Sequence, residues 1–194
     1  MAVTLVSIDV ETTGKDPKTC QIIEFGAVID DWSDVQPLDK LPTFQSFIRH
    51  DQYICEPFAA WMNQDIFGKL SGAIDLEKGE SIGTPGEVFA RFYQFLIDNG
   101  YKPSRNGFIH FIPAGKNYQS FDELFLKAME PWTNRFRSFR RIFDPTILYY
   151  EHDDDEPPDT DICIARAGGP IYDQQHRAIP DAKTVLHLLR YKLL

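Results

Sequence analysis

Residues 7–14 read SIDVETTG, a strand of apolar residues that ends in acid. Val6, Ile8 and Val10 alternate as buried β residues, and Thr12, Thr13 and Gly14 mark a turn. Between them stand Asp9 and Glu11. Residues i and i+2 of a strand share a face, so the two carboxylates project together. Carboxylates that close repel, and one keeps its proton unless a cation sits between them. Hard oxygen donors suit magnesium or manganese better than zinc. A solvated strand end is the alternative, and D-x-E alone does not choose between the two.

The rest of the chain narrows the class. Its 194 residues suit one domain, 1–194, with a sizeable core. No apolar run approaches the roughly 20 residues that span a bilayer, and no signal peptide is apparent, so no membrane partner is expected. Cys20, Cys55 and Cys163 are odd in number and lack metal-site spacing, which points to reduced thiols in a cytoplasmic protein. The net charge of −9 argues against coating duplex nucleic acid through a basic surface. It does not exclude holding a short nucleic-acid end through metal ions.

Apolar β runs occupy 4–10, 22–29 and 43–49, and Phe108–Ile112 reads as a buried strand. A short helix is expected over Pro57–Asn63, and 68–83 reads as loop. Thr84-Pro85-Gly86-Glu87 is a capping box with proline at the first helical position. Val88, Phe89, Phe92, Phe95 and Leu96 then share one face. A further helix is expected over 120–129, with Phe121, Leu124, Phe125 and Ala128 inward, and a last one from about Pro180, with Val185, Leu186 and Leu189 inward. The acidic run 151–159 reads as a solvated loop and 166–170 as a flexible connector. Strands followed by alternating helices and strands predict a mixed sheet flanked by helices. Among the aromatics, Trp61, Phe111, Tyr118 and Phe121 could stack on bases, but this aromatic content is more often core, and none is assigned.

Three segments, IDVETTG, SFDELFL (120–126) and HRAIPDA (176–182), stand in an order that resembles the motifs of the DEDD 3′→5′ exonucleases, in the branch with a catalytic histidine. IIEFGAV (22–28) and FDPTILYY (143–150) resemble intervening segments of that family. The resemblance implies an α/β, ribonuclease H-like fold with a five-stranded mixed sheet. It implies Asp9, Glu11, Asp122 and Asp181 as metal ligands for two divalent cations, Mg2+ or Mn2+, and His176 as general base. It implies substrate contacts at Thr12, Thr13 and Asn117. The implied partner is the 3′ end of single-stranded nucleic acid, with DNA slightly favoured over RNA, and the implied product a nucleoside 5′-monophosphate. An RNA-trimming exoribonuclease of the same family and a non-catalytic pseudonuclease are the alternatives. The second motif departs from the family: one extra residue precedes Ser120, and Lys116 stands where histidine is usual. Lys116 could meet a phosphate but reads first as a solvated lysine, and Glu123 reads as a solvent-facing acid beside the ligand Asp122.

Overall fold

The structure, a computed structural model, describes residues 3–168 and 176–194. The strands are β1 (Thr4–Thr12), β2 (Ile22–Asp31), β3 (Thr43–Ile48), β4 (Ile82–Gly83), β5 (Ile109–Ala114) and β6 (Phe136–Ser138). The helices are α1 (Pro57–Met62), α2 (Gln64–Ser71), α3 (Pro85–Asp98), α4 (Asp122–Lys127), α5 (Glu130–Thr133), α6 (Thr160–Ala167) and α7 (Ala178–Leu193). One mixed sheet has the order β4-β3-β2-β1-β5-β6. β1 pairs antiparallel with β2 and parallel with β5, so it lies near the middle. The sheet has six strands where five were expected. The two edge strands, β4 and β6, are two and three residues long, too short to leave a periodic pattern in the sequence.

Both faces of β1 are covered. Val6, Ile8 and Val10 meet Phe25, Phe89, Phe92 and Trp132, the layer formed with α3 and α5. Leu5 and Val28 pack instead against Ala182, Val185, Leu186 and Leu189 of α7. The capping box forms as expected: Thr84 and Glu87 satisfy each other's backbone N–H groups at the start of α3.

α7 lies close on the sheet because small residues meet it. Ser7 donates to the Ala182 carbonyl at 2.8 Å, joining positions 175 apart in sequence. A Cβ at Gly26 would stand 2.7 Å from the Ala178 Cβ, so only glycine admits the start of α7 there. The helix begins at Ala178, two residues before the expected start. Pro180 is therefore its third residue, where its missing N–H is still one of the four without an intrahelical partner.

Three further expectations change. Leu124 is 46% exposed, and the inward face of α4 is Asp122, Phe125 and Leu126, spaced i, i+3, i+4. That face is rotated by one residue because a carboxylate, not an apolar side chain, occupies its first position. The 151–168 region holds α6, with Asp159 as N-cap and Gly168 as left-handed C-cap. Asp154 is not simply solvated: it forms a two-armed pair with Arg166 at 2.5 and 2.6 Å. Gly169 and Pro170 of the expected connector lie outside the described residues.

Candidate active site

β1 delivers its acids to the face covered by α7. Asp9 stands opposite Gly26 and Glu11 opposite Glu24, and a bulge at Glu11/Thr12 ends the regular register there. α7, seated on Gly26, brings Asp181 down to them. One carboxylate oxygen from each of Asp9, Glu11 and Asp181 lies within 4.8 Å of the others. Asp122 approaches from α4: its Oδ1 accepts the Val10 N–H at 3.0 Å, and its charge acts on Asp9.

Burial, with the neighbouring charges after it, perturbs all four. Burial, then the carboxylates of Asp122, Glu11, Asp181 and Glu24, raises Asp9 well above the usual carboxylate range. Burial and the charges of Glu24 and Asp181 push Glu11 up to about 9. Burial raises Asp122 to about 7 against the pull of two backbone N–H groups. Burial raises Asp181 to about 6, while the nearby His176 pulls it down. An all-oxygen cluster that burial and its own negative charge keep from ionising is a donor set that fits hard divalent cations.

Asp9, Asp181 and His176 line one open cavity of about 330 Å³. His176 is exposed and has a left-handed backbone, φ 48°. Lys116 lines the same cavity and pulls Asp181 toward its charged form. Its aim is set locally. Gly115 bonds to the Phe143 carbonyl, Asn117 turns left-handed at φ 56°, and Asp144 Oδ2 accepts the Asn117 N–H at 3.0 Å. Asn117 itself is exposed beside the neighbouring clefts. The hydroxyls of Thr12 and Thr13 are turned to the protein: Thr12 Oγ1 donates to the Gly14 carbonyl at 2.7 Å, and Thr13 Oγ1 accepts the Gln21 N–H at 2.9 Å.

Glu123 is buried, not solvent-facing. It accepts a hydrogen bond from Ser138 and pairs with Lys127 at 2.9 Å. Two further residues at the site escaped the sequence reading. Glu24 is fully buried beside Glu11. Arg177, next to His176, bonds Glu24 at 3.0 Å, Asp65 at 2.5 Å and Glu80 at 3.1 Å, and lies over the Phe47 ring. The available signal was a lone acid inside the apolar run IIEFGAVI.

The strand order, the flanking helices and the acids at the end of the central strand define the architecture. The chain has the ribonuclease H-like fold. Cell-death related nuclease 4 is similar over 96% of this chain and 62% of its own, with TM-score 0.64 and 13% identity. E. coli exonuclease I in complex with a dT13 oligonucleotide is similar over 96% of this chain and 40% of its own, with TM-score 0.61 and 18% identity. A product-bound exonuclease I aligns with 98% of this chain and 43% of its own, at TM-score 0.62 and 16% identity. The chain thus spans 40 to 62% of the length of these proteins. Neither a family model nor a curated protein matches it. Among the described residues, no helix is long and apolar enough to cross a membrane.

Proposed function

We propose that the chain is a divalent-metal-dependent 3′→5′ exonuclease of the histidine branch, acting on single-stranded nucleic acid and releasing nucleoside 5′-monophosphates. The observation that carries this is the gathering of Asp9, Glu11 and Asp181, from β1 and α7, within 4.8 Å. Asp122 joins them through the Val10 N–H, and His176 stands on the rim of the same cavity. The likeness in fold to cell-death related nuclease 4 and exonuclease I supports the same reading. The dT13 ligand of exonuclease I supports DNA over RNA.

Asp9, Glu11, Asp122 and Asp181 would hold two Mg2+ or Mn2+ ions. Bound there, such ions supply Lewis-acid stabilisation of the charge that develops on the phosphate and the leaving 3′ oxygen. The protein's own groups do the rest. His176 takes the proton from the attacking water, a role suited to an imidazole because its ordinary pKa is near neutrality. Asp181, whose carboxyl is drawn toward its charged form by His176, lines the same cavity. Lys116 faces the scissile phosphate and offsets its charge. Arg177 holds Glu24 in an ion pair, which leaves Glu11 and Asp9 to the cations.

The test is digestion of 3′-labelled single-stranded DNA and matched RNA, with magnesium or with chelator. The label should leave first, as a mononucleotide, only with metal, and faster from DNA. His176→Ala should lower the rate by roughly 10²–10⁴-fold. Turnover undiminished in excess chelator, or internal cuts in a closed single-stranded circle, would end this reading.

A further inference from the structure

We propose that Phe58 and Trp61 form a stacking platform for unpaired bases of the strand whose 3′ end lies at the carboxylate cluster. The proposal rests on the nuclease reading and deepens it by assigning where the rest of the substrate lies.

Phe58 and Trp61 stand at i and i+3 of α1, so both rings leave the helix on one side. They are 65% and 66% exposed, with ring centroids 6.0 Å apart and planes tilted by 38°. Most large aromatics here do the opposite. Phe25, Phe89, Phe92, Trp132 and Phe136 interlock in the core, and Phe111 and Tyr118 are buried with them. Adjacent large rings left in water mark a contact surface rather than an ordinary exposed side chain.

Their position connects that surface to the acids. α1 is tied at both ends to the residues just after Glu11. The Glu56 N–H donates to the Thr13 carbonyl at 2.8 Å, and Asn63 Nδ2 donates to the Thr12 carbonyl at 3.1 Å. Glu56 Oε1 also accepts the Lys15 N–H at 2.9 Å, which fastens the loop carrying Lys15 and Lys18 to the start of α1. Both lysines are exposed, and neither has an ion-pair partner among the described residues. The surface thus offers aromatic faces for bases and free cations for phosphates, beside the acids at the end of β1. A chain of net charge −9 gains little from phosphates across its whole surface. Stacking on π-faces is attractive whatever the net charge and tolerates any base, as an enzyme stepping along a strand requires.

The test uses the intact chain in chelator, where no cleavage competes, and a 5′-fluorescein oligothymidylate of about ten nucleotides read by anisotropy. Affinity should fall roughly 5- to 150-fold in Phe58→Ala/Trp61→Ala, and Trp61→Phe should retain most of it. An oligonucleotide with abasic sites in its 3′-proximal part should bind the native chain as weakly as the intact one binds the double variant. Equal binding by native chain and folded double variant would overturn the platform. So would sedimentation showing that the double substitution abolishes self-association and leaves oligonucleotide binding unchanged, since a second copy would then be the occupant. A native chain that holds the oligonucleotide through this pair but releases no mononucleotide with magnesium would sink the nuclease reading and leave the platform. A chain that digests the strand, with binding indifferent to the double substitution, would do the reverse.

Discussion

Asp122 and Glu123 are adjacent acids, both buried, whose carboxylates go to different places. Successive helical residues point about 100° apart, so only one can face β1. Asp122 reaches the Val10 N–H, while Glu123 is taken by Ser138 and Lys127. Isosteric substitutions separate the two. Asp122→Asn should reduce turnover to background and weaken metal binding, measured by titration calorimetry. Glu123→Gln should keep turnover within a few-fold of native, because the lost charge lies outside the cluster. Its effect should be on folding instead, with roughly 0.5–1.5 kcal/mol of stability lost with the weakened hydrogen bond and ion pair. The reverse pattern would assign the metal ligand to Glu123 and not to Asp122.

α7 carries Asp181, and it is clamped near both ends. Arg177 holds its start to Glu24. Near the other end, Arg190 grips Asp30 of β2 with two bonds, at 2.8 and 2.5 Å, and Trp32 Nε1 donates to the same carboxylate at 2.9 Å. Asp30 is fully buried. Arg190→Met would leave that charge without its cation, and breaking a buried pair from one side costs roughly 3–5 kcal/mol. Urea denaturation should show that loss, while Asp30→Asn/Arg190→Met should recover part of it, since no unpaired charge remains. A single substitution costing under about 1 kcal/mol would mean that the clamp is idle. Gly26 is the complementary case, a position where added volume is the harm. Gly26→Ala forces a methyl to within 2.7 Å of Ala178, and overpacking of that kind costs typically about 1–3 kcal/mol. Because the displaced segment lies three residues before Asp181, metal affinity should fall along with stability.

Across the molecule, the acid cluster governs how stability varies with pH above the ordinary carboxylate range. Asp9, Glu11, Asp122 and Asp181 all bind protons more tightly in the folded chain than in an unfolded one. Raised folded-state values mean that their contribution is fully present below the ordinary carboxylate range near 4. It is lost as pH rises through about 6 for Asp181, about 7 for Asp122 and about 9 for Glu11. In chelator the thermal midpoint should therefore fall between pH 5.5 and 8.5. Divalent cations require the ionised ligands, so millimolar magnesium should raise the midpoint more at pH 8.5 than at 5.5. Midpoints independent of pH in chelator, or a magnesium effect larger at the lower pH, would contradict a cluster held together by cations.

The features legible in the sequence were those set by a residue's place on its own element. Period-two alternation in β1 puts Asp9 and Glu11 on one face, capping chemistry marks Thr84 as the start of α3, and the apolar spacing of α7 identifies Val185, Leu186 and Leu189 as inward. Short elements and cross-element partners were not legible. β4 and β6 have two and three residues, below any periodic signal, and α6 is only eight residues long. The inward face of α4 is offset by one residue from its apolar pattern because hydrophobicity locates such a face only when apolar side chains fill it, and Asp122 breaks that rule. Glu24 and Arg177 were invisible for a related reason. Glu24 lies beside Glu11 only through the register of β1 on β2, and Arg177 meets Glu24, Asp65 and Glu80 only once α7 has closed over Gly26. Periodicity reports which way a side chain points, whereas the group it points at arrives from a distant part of the chain and depends on packing that no local pattern encodes.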